Sequence, residues 1–122
     1  MSFGKLIKEK RLKKNMTMKD VANRLDLSVS YLSDIEKGRR NPLELDKLQE
    51  LSKILSLTQE EENQMMDLAG KERNEVSPDL SNYVVKNQVV TDALRTAKNV
   101  DISEQEWFDF IEKILNKKEG EN

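Results

Sequence analysis

Apolar residues along this chain recur every three or four positions, in short runs divided by polar punctuation. Phe3, Leu6 and Ile7 open the pattern, Val21, Ala22 and Leu25 resume it, and Leu32 and Ile35 follow. The longest stripe is Leu45, Leu48, Leu51, Ile54 and Leu55, at i, i+3, i+6, i+9 and i+10. Met65, Met66 and Leu68, then Val89, Val90, Ala93, Leu94 and Ala97, then Trp107, Phe110, Ile111, Ile114 and Leu115 continue at helical spacing. No stretch alternates with the period of two that a half-buried strand requires, so the pattern predicts an all-α chain.

The punctuation sets the helix boundaries. Thr17 with Asp20, Thr58 with Glu61 and Ser103 with Glu106 have the spacing of capping boxes, in which a side chain and a backbone N–H at each end satisfy one another. Gly38 follows the Leu32–Ile35 run where a left-handed residue can end a helix, and Pro42 is expected to open the next element. Ser77-Pro78 reads as an N-cap followed by proline at the first helical position. Helices are therefore predicted over about 3–14, two short segments after Thr17 and Ser28, about 43–55, 59 to about 68, 78–84, 88–98 and from 104 onward. Gly70 to Ser77 has no apolar period and reads as a connection, and the terminal Lys117–Asn122 is expected to fray. The expected organisation is a first domain over 1–69, a connection over 70–77 and a helical extension over 78–118.

Two short helices across a tight turn, with the second able to enter a DNA major groove, form a helix-turn-helix. The segment Thr17–Pro42 resembles the helix-turn-helix of the Xre/Cro family of phage-repressor-like DNA-binding domains. The residues carrying the resemblance are Thr17, Ala22, Leu27, Ser28, Leu32, Ser33, Ile35, Glu36, Gly38 and Pro42, with Phe3-Gly4 and Arg11 upstream and a leucine-rich run to about Leu57 downstream. The resemblance implies a five-helix lambda-repressor-like domain, here with a helical C-terminal extension. The chain departs from the family at Met18, where glutamine is frequent, at Asp26, where the turn usually has glycine, and at Asp34, where a basic or amide side chain is frequent.

Composition narrows the chemistry. The chain lacks cysteine and histidine, which removes thiolate chemistry, the commonest metal ligand and the commonest general base; no enzyme activity, cofactor or metal is expected. No stretch approaches the roughly 18 apolar residues a membrane span needs, so a soluble cytoplasmic protein is expected. Charge is unevenly placed. Residues 1–56 hold 13 Lys/Arg and 8 Asp/Glu, a net of +5, and residues 57–122 hold 8 and 15, a net of −7, which together give the chain's −2. A basic half suits phosphates, while the acidic half is either a surface for another partner or a solvated helical face.

By the family resemblance the recognition helix begins at Ser28, and its outward positions Val29, Ser30, Ser33 and Asp34 are the expected base readers. Val29 can meet a thymine methyl and the serines can donate or accept; Asp34 either accepts from a cytosine amino group or makes a contact within the protein. Phosphate grip is expected from Thr17, Lys19, Lys37, Arg39 and Arg40. Arg11 and Glu36 are expected to form a structural ion pair that fixes the angle of the recognition helix. Met65, Leu68, Trp107, Phe110, Ile111 and Ile114 supply apolar helical surface beyond what a DNA-binding module needs, and are expected to form a dimer or partner surface.

Three readings follow. The first is a sequence-specific repressor acting as a homodimer on a palindromic operator in double-stranded DNA. The second is an antitoxin or immunity-control component that binds a toxin- or protease-like partner through its C-terminal helices and autoregulates its promoter. The third is a protein-interaction module without DNA binding, kept in view by Met18 and Asp34.

Overall fold

A computed structural model describes residues 1–120. Among these, eight helices and no strand are present: α1 (Phe3–Lys13), α2 (Met18–Arg24), α3 (Val29–Glu36), α4 (Leu45–Ile54), α5 (Gln59–Glu72), α6 (Pro78–Lys86), α7 (Gln88–Val100) and α8 (Glu104–Gly120). The protein is all-α. It divides into two compact units, Met1–Tyr83 and the segment from Val84 onward, with α6 running across the division.

In the first unit α1 packs on α3 and α5, and α2 packs on α3 and α4. Phe3, Leu6, Ile7, Val21, Leu25, Leu32, Leu48, Leu51, Met65 and Met66 are buried together, which gathers every apolar run of the first 66 residues into one core. Met65, expected at a dimer or partner surface, is therefore not available there. α5 packs against α1, and Met65, Met66 and Ala69 on its inward side are fully or almost fully covered. Leu68 is half-buried against the same core.

The capping boxes at Thr17/Asp20 and Thr58/Glu61 form, as does the reciprocal pair at Ser103 and Glu106. At their far ends the helices close by one device. Asn15, Asp26, Ser56 and Asn74 each adopt a left-handed φ between 50° and 57°, and the following amide reaches back to the last helical turn, as from Leu27 to Ala22 at 2.9 Å. Glycine fills this role only at Gly38, with φ 77°.

Several boundaries differ from those the pattern predicts, α6 and α7 each running two residues further. α4 starts at Leu45, not near Leu43; Pro42 and Leu43 lie in the preceding loop, both buried, so Pro42 does not open the helix. α5 continues through Gly70 to Glu72 and is closed by Asn74, because a glycine inside a helix costs about 1 kcal/mol without stopping it. Ser77 turns its hydroxyl to Asp67, at 2.6 Å. The last helix persists through Lys117–Gly120, where fraying was expected; Glu121 and Asn122 lie outside the described residues.

The second unit has a different character. Neither α7 nor α8 contains a buried residue. Val89, Val100, Trp107, Phe108, Phe110, Ile111, Ile114 and Leu115 are all exposed, and Trp107 and Phe110 stack on one another with ring centroids 6.1 Å apart.

Candidate nucleic-acid interface

Helix α3 is presented by its neighbours. Ser28 caps it, its hydroxyl oxygen accepting from the Tyr31 amide at 3.0 Å. Leu32 and Ile35 point into the core, which leaves Val29 and Ser30 exposed and Ser33 and Asp34 half-exposed on the opposite side. Amphipathic spacing alone dictates this division: positions three apart share one face.

Two contacts hold α3 at a fixed angle. The Arg11 guanidinium donates through Nε and Nη2 to the two carboxylate oxygens of Glu36, at 3.0 and 3.1 Å, and through Nη1 to the Met16 carbonyl at 3.0 Å. Both side chains are almost fully buried. Beside them, α1 approaches so closely that a Cβ on Gly4 would stand 2.2 Å from the Glu36 carbonyl oxygen. Glycine is required there for packing.

At the end of α3 the chain reverses through Gly38. The Gly38 amide donates to Ile35 and the Arg39 amide to the Asp34 carbonyl at 2.8 Å, which folds Arg39 and Arg40 back alongside the helix. There the Asp34 carboxylate meets Arg40 at 3.7 Å and Arg39 at 4.0 Å. The Arg40 guanidinium also lies over the Tyr31 ring, 4.6 Å from its centroid.

The start of α2 flanks the same region. Thr17 accepts from the Asp20 amide through its hydroxyl oxygen, which leaves the O–H free to donate, while the Asp20 carboxylate accepts from the Thr17 amide. That backbone hydrogen bond, first among its causes, lowers the Asp20 pKa below the ordinary carboxylate value. Lys19 and Lys37 are exposed. Met18 is half-buried against the core, so the position where the family often has glutamine contributes packing. Asp26 occupies the turn with φ 57°, the conformation for which the family's glycine is suited.

Three contributors carry no local sequence signal. Tyr31 supports Arg40 from nine residues away. Lys47 reaches from α4 to the Leu25 carbonyl at 2.7 Å, tying α4 to the helix-turn-helix turn. Lys10 on α1 pairs with Glu61 on α5; this bond, and secondarily the Thr58 amide, lowers the Glu61 pKa to about 2. Among the described residues no group of acidic, histidine or cysteine side chains is arranged to hold a metal, and no helix is long and apolar enough to cross a membrane.

A helix-turn-helix family model matches residues 7–61, the span from α1 to the first turn of α5. Over 56 residues the chain is 41% identical to the control protein C.BamHI of Bacillus amyloliquefaciens, covering 45% of this chain and 68% of that protein. The chain belongs to the Xre/Cro helix-turn-helix family. It is also 26% identical to the HTH-type transcriptional regulator DdrOP3 of Deinococcus deserti, over 95% of this chain and the whole of that protein. One chain of the SinR protein/SinI protein complex aligns with a TM-score of 0.47 and 20% identity, covering 96% of this chain and 98% of that one. The Xre/Cro family comprises DNA-binding transcriptional regulators, and in this member the matched region ends well before α6, α7 and α8.

Proposed function

We propose that this Xre/Cro protein is a transcriptional repressor of the cytoplasm that binds a two-fold operator as a homodimer. The carrying observation is the presentation of α3: Leu32 and Ile35 anchor it inside while Val29, Ser30 and Ser33 face outward. In this reading those three side chains meet base edges in a groove about 12 Å wide. Thr17, Lys19, Lys37, Arg39 and Arg40 grip the phosphates on either side.

The dimer rests on the second unit. Eight large apolar side chains named above on α7 and α8 are exposed in the single chain. Exposed apolar patches beyond a few hundred Å² mark interaction surfaces, and a specific interface needs about 800 Å² from each partner. Burying Trp107, Phe110, Ile111 and Ile114 against a second copy contributes to that area, and a two-fold operator places its half-sites about 34 Å apart, one turn of DNA. The same exposure supports a second reading in which another protein covers this face and thereby controls DNA binding.

Gel shifts against fragments of the source genome, at two salt concentrations, test the proposal. The expected result is one or a few preferred fragments, with affinity falling steeply as salt rises because several cations displace counterions. Binding only at low salt and without preference among fragments would overturn the repressor reading.

A further inference from the structure

The contact between Asp34 and the two arginines beyond Gly38 sets acidic and basic groups of one binding face against each other. Arg39 and Arg40 follow Lys37 and Gly38 just beyond the recognition helix, and each has its guanidinium within 4.0 Å of the Asp34 carboxylate. This proximity is built in. The Gly38 turn and the Arg39 amide bond to the Asp34 carbonyl return the chain to that carboxylate, and the Tyr31 ring supports Arg40 beneath. Asp34 is half-exposed, while the arginine side chains remain 70% and 54% exposed, so phosphate can reach them from solvent.

We infer that Asp34 is an internal competitor for DNA phosphate: its carboxylate engages Arg39 and Arg40 in the free protein and lowers the affinity of the interface for every sequence. The inference rests on the proposed DNA-binding function. The physical reason is Coulombic. A phosphate approaching either guanidinium competes with a carboxylate beside it, and it approaches a local net charge of +1 where two unopposed arginines would present +2. Exposed ion pairs are weak in themselves, so the competition attenuates binding without abolishing it. A homodimer contains two such sites and doubles the effect in free energy. The role differs from base reading, in which a carboxylate would favour cytosine at one position and leave other sequences untouched.

Asp34→Asn keeps the side-chain shape and removes the charge. The test compares full-length wild type and Asp34→Asn on a random-sequence duplex and on the best genomic fragment, across a salt series. The expected result is binding roughly three- to tenfold tighter on both duplexes near 0.1 M salt, with a salt slope steeper by about one charge per protomer. In an Arg39→Gln/Arg40→Gln background the same substitution should give little or no gain, since the groups it releases are gone. Unchanged or weaker binding overturns the inference, as does a loss confined to one fragment or a gain that persists undiminished without the arginines. Binding by wild type with no gain in the variant removes this inference alone. Failure of both proteins to bind any duplex removes the DNA-binding reading as well.

Discussion

The Arg11 guanidinium forms a two-point fork with the Glu36 carboxylate, joining the last turn of α1 to the last residue of α3 across 25 positions of sequence. Because a third donor of the same guanidinium satisfies the Met16 carbonyl, Arg11 holds the entry to the helix-turn-helix and the exit of its second helix together. Removing one partner strands a buried charge. Glu36→Ala should therefore destabilise the fold by roughly 3–5 kcal/mol, and the double change Arg11→Met/Glu36→Ala should recover a large part of that loss. Urea denaturation of wild type and the two variants measures it; equal stability of Glu36→Ala and wild type would show that the fork contributes nothing.

Gly4 is expected to tolerate no side chain. A methyl group there meets the Glu36 carbonyl at a distance no real contact shows, and backbone cannot rotate away as a flexible side chain can. Gly4→Ala should cost roughly 1–3 kcal/mol through overpacking and should weaken DNA binding by tilting α3. Thermal melting and gel shift on one preparation check both parts.

Asp26 holds a left-handed conformation at the helix-turn-helix turn, at φ 57°. Asp26→Gly should raise stability by about 0.5–1 kcal/mol, since glycine adopts this φ without the Cβ penalty. A melting temperature at or below that of the wild type would contradict the expectation.

Acid should loosen the packing of α1 on α5. Glu61 has an ordinary pKa of 4.5 and titrates at about 2 in the folded chain, so the folded state binds the proton less readily than the unfolded one. The stability this contributes is complete above pH 4.5 and is lost as pH falls from there toward 2. Lys10, whose pKa the Glu61 hydrogen bond raises above 10.5, contributes in the opposite sense and loses its share only as pH rises beyond that value. Glu61→Gln should flatten the acid limb of a stability-versus-pH curve relative to wild type.

The second unit offers a test of assembly that spares the first. Ile111 and Ile114 are each 53% exposed in the single chain, so a charge at either position should leave the monomer fold intact. Ile111→Asp/Ile114→Asp should convert a sedimenting dimer to a monomer and weaken operator binding by removing the second reading helix. A wild-type chain that sediments as a monomer, free and on its best DNA site, would refute the dimer.

Helical periodicity and its punctuation were enough to read the eight helices, the capping boxes at Thr17 and Thr58 and the left-handed Gly38, because each depends on residues within four positions of one another. The inward positions of α3, Leu32 and Ile35, were legible for the same reason. Local pattern could not decide what covers an apolar face. Met65 and Ile111 both lie on amphipathic helices, yet Met65 is sealed under α1 while Ile111 remains exposed, and only the packing of α5 on α1 distinguishes them. Nor could spacing reveal that Asp34 meets Arg39 and Arg40, that Tyr31 lies beneath Arg40, or that Gly4 faces the Glu36 carbonyl. Those relationships depend on how a turn reverses and how two helices cross, and such geometry is settled by packing of the whole domain.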